Sequence, residues 1–221
     1  MEDEQVRREA SVAKISRQNA DDSVRRVKGE SGAAVPGSDV HPSIALVNSA
    51  TESVGGRRVD ALDSPESVRA WLLARDLIDS DGVLYEYCQG RIVALRENLR
   101  ELFTARVGGE EPPPETVDAV NRALTSAPGA LLLRFDAGQG FTRRADHPAT
   151  QVIEHVSAVV AEDAAALLAG EDASILAQCE ADGCRRFFLR THARRQWCST
   201  RCGDRVRAAR AYARRRAAGS R

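Results

Sequence analysis

Four of the chain's five cysteines, Cys179, Cys184, Cys198 and Cys202, fall within 24 residues and read C-x4-C, thirteen residues, then C-x3-C. Two close pairs separated by a loop suit tetrahedral zinc, because each pair supplies one edge of the tetrahedron. A site closed by four thiolates has no position left for substrate, so the expected metal is one structural Zn2+. A segment of ~40 residues cannot bury enough surface to fold unaided. Structural zinc contributes on the order of 10–16 kcal/mol of apparent binding energy to small fingers. Phe187, Phe188 and Trp197 are expected to form the small core beneath the metal. The competing accounts are unrelated buried thiols, two disulfides or an iron–sulfur cluster. His192 is an alternative ligand or a solvated loop residue, and Cys88, far away in sequence, is read as packed in the body.

The same segment is crowded with arginine. From Arg185 to Arg221 there are 13 arginines and one acid, Asp204, a net charge of +12 that leaves −12 on the other 184 residues. Such a division describes a body that repels polyanions and a tail that attracts them. A terminal helix starting near Cys202 would place Cys202, Val206, Ala209 and Ala213 within a stripe of about 60°, packed toward the metal. Arg207, Arg210 and Arg214 would occupy a sector of similar width beside it, a track for a phosphate backbone. The candidate nucleic-acid contacts are Arg194, Arg195, Arg201, Arg205, Arg207, Arg210 and Arg214, with Arg185 and Arg186 widening the track. The bland account is that arginines neutralise the −2 charge of a four-thiolate zinc and complement the helix dipole. Those roles would occupy only some of the thirteen. Intervening residues are mostly alanine, which favours phosphate contacts over base reading, and DNA is preferred to RNA as the partner.

The elements that must position these groups come before them. Residues 1–40 mix charges of both signs without an aromatic residue and read as a disordered leader. From His41 the pattern becomes globular: "PSIALVNSA" is a short apolar helix, and in "DSPESVRAWLLARDLI" Ser64 caps a helix that begins at Pro65. Ile92, Leu95, Leu99, Leu102 and Phe103 recur at helical spacing between about Tyr85 and Val107. "GGEEPPP" ends that helix and starts another over about Glu115–Thr125, with Val117, Val120 and Leu124 facing inward. In "GALLLRFDAGQGFTRRA" two β-prone runs flank a turn at Asp136–Gly140 and predict a hairpin. Pro148 then opens an alanine-rich helix through about Leu168, ending at Gly170.

The fold class expected is mainly α with one short β-hairpin. A helical domain over 41–172 precedes a four-cysteine finger over 173–221 that ends in the basic helix. No apolar run approaches the ~18–20 residues needed to span a bilayer, and no signal peptide is evident, so a cytoplasmic chain with reduced thiols is expected.

Cys179, Cys184, Phe187-Phe188, Arg195, Trp197-Cys198-Ser199 and Cys202-Gly203-Asp204-Arg205 together resemble the CGNR zinc-finger family, in which an ABATE-type helical domain precedes the finger. "HPSIALVNS", "RRVDALDSPESVRAWL", "LRENLRELF" and "VNRALT" agree in order, and the resemblance covers about residues 41–216. Asp204 stands where the signature has asparagine, Arg190 where aspartate is common, and the last cysteine gap is three residues where four is usual. The resemblance implies a stress-induced transcriptional regulator whose finger binds DNA.

An enzyme is not expected. His147, Glu154 and His155 do not form a compact site on a helix, and no glycine-rich phosphate loop or nucleophile elbow is present. The aliphatic residues of the helical domain are expected to serve as core, with a homodimer face or a small-molecule pocket as further roles. The function read from the sequence is a zinc-binding, DNA-binding transcriptional regulator. The alternative is a zinc-stapled module that meets protein or RNA.

Overall fold

The computed structural model describes residues 35–52, 58–78, 83–127, 131–138, 140–145 and 151–219. Six α-helices dominate them: α1 (Pro42–Val47), α2 (Pro65–Leu73), α3 (Glu86–Gly108), α4 (Pro114–Thr125), α5 (Val152–Ala169) and α6 (Thr200–Gly219). The helix starts follow local chemistry. Ser64 Oγ accepts the Ser67 N–H at 3.1 Å, and Pro65 takes the first position of α2, where no N–H is needed. The long helix α3 stops at Gly109, whose φ of +71° lets the chain turn away in the left-handed region. Pro148, expected to open α5, lies outside the described residues, and the described helix begins at Val152.

Apolar residues at three- and four-residue spacing bring the helices together. Ile44, Leu46 and Val47 of α1, Ile92, Leu99 and Phe103 of α3, and Val156, Val160 and Ala164 of α5 share one buried core with Val68, Trp71 and Leu72 of α2. The helix α1 lies against both α3 and α5, and α4 packs across the same two. Polar anchors fix the arrangement. Asp163 of α5 accepts from the Ser43 N–H at 2.9 Å and from Ser43 Oγ, and lies 2.9 Å from His41 Nδ1. Arg96, buried on α3, forks onto Asp60 at 2.6 and 2.8 Å and also reaches Ser49 Oγ.

Three antiparallel pairs accompany the helices. The expected hairpin is present as β3 (Leu131–Asp136) and β4 (Gly140–Ala145), with Leu133 opposite Arg143 and Phe135 opposite Phe141. Two further pairs were not legible in the sequence: β1 (Ala50–Glu52) with β2 (Arg58–Asp60), and β5 (Leu176–Gln178) with β6 (Phe187–Leu189). Each of those strands has only three residues, too few to show a period of two.

Some expectations need correction. Residues 1–34 of the anticipated leader lie outside the described residues, but 35–40 form a turn against the C-terminal segment. The Leu189 N–H bonds to Pro36 O at 3.0 Å, and Gly37 (φ +92°) leaves no room for a side chain, since a Cβ there would stand 2.8 Å from Leu189 Cγ. Val117 does not face inward; it is 37% exposed, and Val120 and Ala123 bury the α4 face instead. The anticipated boundary between 172 and 173 stays an expectation; it falls in the short 3-10 turn Glu171–Ser174.

Candidate metal centre and basic helix

The first cysteine pair sits on the loop between β5 and β6. Cys179 N–H bonds to Arg186 O at 2.8 Å, which extends the strand pairing up to the first sulfur. The chain then folds back in a tight knuckle, with the Cys184 N–H on Ala181 O at 2.8 Å and Gly183 at φ +68°. The second pair comes in over it, where Glu180 N–H meets Gln196 O at 3.2 Å and the Cys198 N–H points at Cys179 Sγ at 3.4 Å. Ser199 precedes α6, and its Oγ accepts the Cys202 N–H at 3.3 Å. Cys202 thus occupies the third position of the helix, its N–H held by the serine that precedes the first turn.

The four sulfurs lie within 4.8 Å of one another, and all five cysteines are free thiols. The two disulfides considered from the sequence are therefore not formed. Cys184 Sγ and Cys198 Sγ are 3.8 Å apart, and Cys198 Sγ and Cys202 Sγ 3.7 Å. Zinc bound to four sulfurs at about 2.3 Å in a tetrahedron has sulfur–sulfur edges of about 3.8 Å. Two of the edges therefore already match those of the ion's tetrahedron, and the others lie within about 1 Å of them. The protonation chemistry of the pocket points the same way. Hydrogen bonds from Cys184 and then Cys198 pull the Cys179 thiol down to about 2, while the bond to Cys179 pushes Cys184 up to about 11. Cys198 is pushed up as well, first by its hydrogen bond to Cys179. Sulfurs this close cannot all carry charge alone; a dication in their midst lets them do so.

The finger core holds Ala177, Ala181, Phe188 and the cysteines, with Trp197, Val206 and Val35 packed against it. Phe187 does not belong there. Successive strand residues point to opposite faces, so Phe188 turns to the sulfurs and Phe187 enters the main core, its ring edge-on to Phe103 at 5.6 Å. The side chain of Asn48 secures this strand in both directions, donating to Phe187 O at 2.7 Å and accepting the Phe187 N–H at 2.9 Å. Arg100 on α3 donates to Arg185 O at 3.2 Å and also to Val47 O. Asn48 and Arg100 were missed in the sequence because their partners stand 139 and 85 residues away.

The structure divides the candidate arginines. Arg195, half-buried, donates to Trp197 O at 3.1 Å and Cys198 O at 3.3 Å, bracing the metal loop. Arg205 donates to Asp182 O at 2.7 Å, and Arg207 pairs with Asp204 at 2.5 Å. Arg194, Arg201, Arg210 and Arg214 are exposed, and their guanidinium groups have no partner among the described residues. The expected packing stripe is only half realised. Cys202 is buried and Val206 partly so, but Ala209 and Ala213 are exposed. From Arg207 to Ala218 every helix residue is exposed except the half-buried Ala211. The last three turns of α6 thus project away from the finger.

Elsewhere the described residues carry no second cluster of potential metal ligands. Glu154 and His155 do not assemble one, His147 lies outside the described residues, and His192 is exposed and apart from the sulfurs. Cys88 packs against the main core as expected. An open apolar groove of about 320 Å³ lies between α3, α4 and α5, with Val117, Val120 and Leu124 in its wall and Arg106 at its edge. No helix among the described residues is long and apolar enough to cross a membrane.

With this geometry in view, the comparisons with known families carry weight. The family model described as "Putative stress-induced transcription regulator" (ABATE) matches residues 40–171, and the CGNR zinc-finger model matches residues 176–215. The chain belongs to the ABATE family and carries a CGNR zinc finger at its C-terminal side. Neither is a family of enzymes. No curated protein matches the chain. The family and the four gathered thiols together assign one structural zinc, and Cys179, Cys184, Cys198 and Cys202 are placed where they could hold it.

Proposed function

We propose that this protein is a cytoplasmic transcriptional regulator that binds DNA through α6, held in place by the zinc. The observation that carries the reading is the projecting half of that helix. Its side chains include the exposed Arg207, Arg210, Arg214 and Arg215, while the finger anchors only its first two turns. A free helix of this composition has little to stabilise it except a polyanion, and like charges at this density repel one another in isolation. Arg194 and Arg201 extend the basic surface toward the finger. Arg195 and Arg205 serve chiefly to hold the metal loop and the start of the helix.

Duplex DNA titrated with the full-length, zinc-loaded protein at increasing salt tests this reading. About five phosphate contacts make log K fall against log salt with a slope near −4 to −5 between 50 and 200 mM. Replacing Arg207, Arg210 and Arg214 together by alanine should weaken binding at least tenfold and flatten the slope by about 2–3, with the zinc content unchanged. Affinity indifferent to salt contradicts the proposal. Loss of zinc from the triple variant would instead place those arginines in the fold.

A further inference from the structure

We infer that the face of α6 turned away from the metal, carrying Asp204, Ala208, Ala211 and Arg215, reads base edges in the DNA major groove, while arginines on its two flanks grip the phosphate walls. This rests on the proposed DNA-binding role and adds which residues confer sequence preference. Cys202, Gly203 and Val206 mark the side of the helix that faces the finger, with Gly203 so close to Trp197 that a Cβ would stand 3.0 Å from its ring. At about 100° per residue, Asp204, Ala208, Ala211 and Arg215 all fall on the opposite side, within a sector of about 60°. Asp204, Ala208 and Arg215 are exposed there and Ala211 is half-buried, and the sector runs along the helix from the capped end outward.

The flanks complete the pattern. Arg207, Arg210 and Arg214 cluster about 90–100° to one side of the outward face, and Tyr212 and Arg216 about 70–110° to the other. A major groove about 12 Å wide admits one helix, with phosphates rising on both sides, so two cationic flanks match its walls. Tyr212, 63% exposed, adds a phenol to the second flank. From Asp204 to Arg215 the helix rises about 16 Å at 1.5 Å per residue, the length of about five base pairs at 3.4 Å each.

The outward residues have distinct chemistry. Arg215, whose guanidinium has no partner among the described residues, can fork onto guanine O6 and N7. Asp204 accepts hydrogen bonds only, which suits the cytosine N4 amine. The methyl groups of Ala208 and Ala211 permit close approach and touch thymine methyls. Asp204 now pairs with Arg207, but both side chains are well exposed, at 71% and 59%, so the pair is easily exchanged for base and phosphate.

Selection from a random duplex library, with full-length zinc-loaded wild type, Asp204→Asn, Arg215→Lys and Arg210→Ala, tests the assignment. Asp204→Asn should move one position of the selected site from cytosine toward adenine, the base an amide pairs with. Arg215→Lys keeps the charge but loses the fork, and should cost about 5- to 150-fold of guanine preference at one position. Arg210→Ala should weaken binding to all sequences alike and leave the selected site unchanged. Zinc content and helicity by circular dichroism establish that each variant is folded. A selected site untouched by both Asp204→Asn and Arg215→Lys overturns this inference alone. Failure of the folded wild type to bind any duplex, or capture of RNA or protein in its place, overturns the functional reading and the inference with it.

Discussion

Three of the four gathered cysteines illustrate how position decides the state of a thiol. Cys179 receives hydrogen bonds from Cys184 and Cys198 and also stands before the Cys198 N–H, which holds its thiol well below the ordinary range; the same bonding pushes Cys184 and Cys198 up. The consequence for metal binding has a definite sign. At neutral pH zinc must displace the protons of Cys184, whose thiol is pushed up to about 11, and of Cys198. Zinc binding should therefore release at least two protons per ion, and affinity should rise with pH through the neutral range. Calorimetric titration of the zinc-free protein in buffers of different ionisation enthalpy measures that release. Binding with no proton release, or with affinity constant from pH 6 to 8, would show that the thiols are not arranged as described.

At the scale of elements, β6 and α6 do opposite work. The strand β6 joins two cores, with Phe188 beneath the sulfurs and Phe187 against Phe103, so the finger is continuous with the body. The helix α6 leaves both cores behind after Val206. Removing residues from Arg207 onward should thus leave zinc content intact and shift the thermal midpoint by less than about 3 °C, since almost no apolar burial is lost. DNA affinity should fall at least ~100-fold, because most of the phosphate contacts go with it. Differential scanning fluorimetry and a binding titration on the same preparation separate the two effects. A large loss of stability would mean that the helix is a structural element.

Which of these elements were legible beforehand follows from the range of the forces that make them. Cysteine spacing and the Ser64-Pro65 cap act over a few residues, so the gathering of the four cysteines and most helix starts were readable from the sequence. The partition of Phe187 from Phe188 was not, because a three-residue strand shows no alternation until its two partners are known. Arg195 and Arg205 read as surface cations because the carbonyls they bind, of Trp197, Cys198 and Asp182, acquire their positions only in the folded loop. The 35–40 turn escaped for a similar reason: Gly37 fits beneath Leu189, a contact 152 residues away. Ala209 and Ala213 were assigned to a packed stripe on helical spacing alone, and spacing does not reveal where the supporting surface ends.

On the scale of the whole molecule, charge is divided as cleanly as structure. The acidic remainder of the chain carries −12 against the +12 of its last 37 residues. Long-range repulsion between the acidic body and DNA would direct encounter to the basic end. A disordered segment with the same arginines would also attract DNA, so charge by itself does not require a metal. The ordered finger adds placement: the sulfurs fix Ser199 and Cys202, these fix the first turns of α6, and the outward and flanking arginines follow from the helix. Placement is therefore what separates this account from a simple polycation. The most direct test compares duplex DNA affinity of the full-length protein with zinc and after chelation, at one salt concentration near 100 mM. The account predicts a loss of at least tenfold on chelation, restored when zinc is added back. Equal affinity with and without the metal would contradict it.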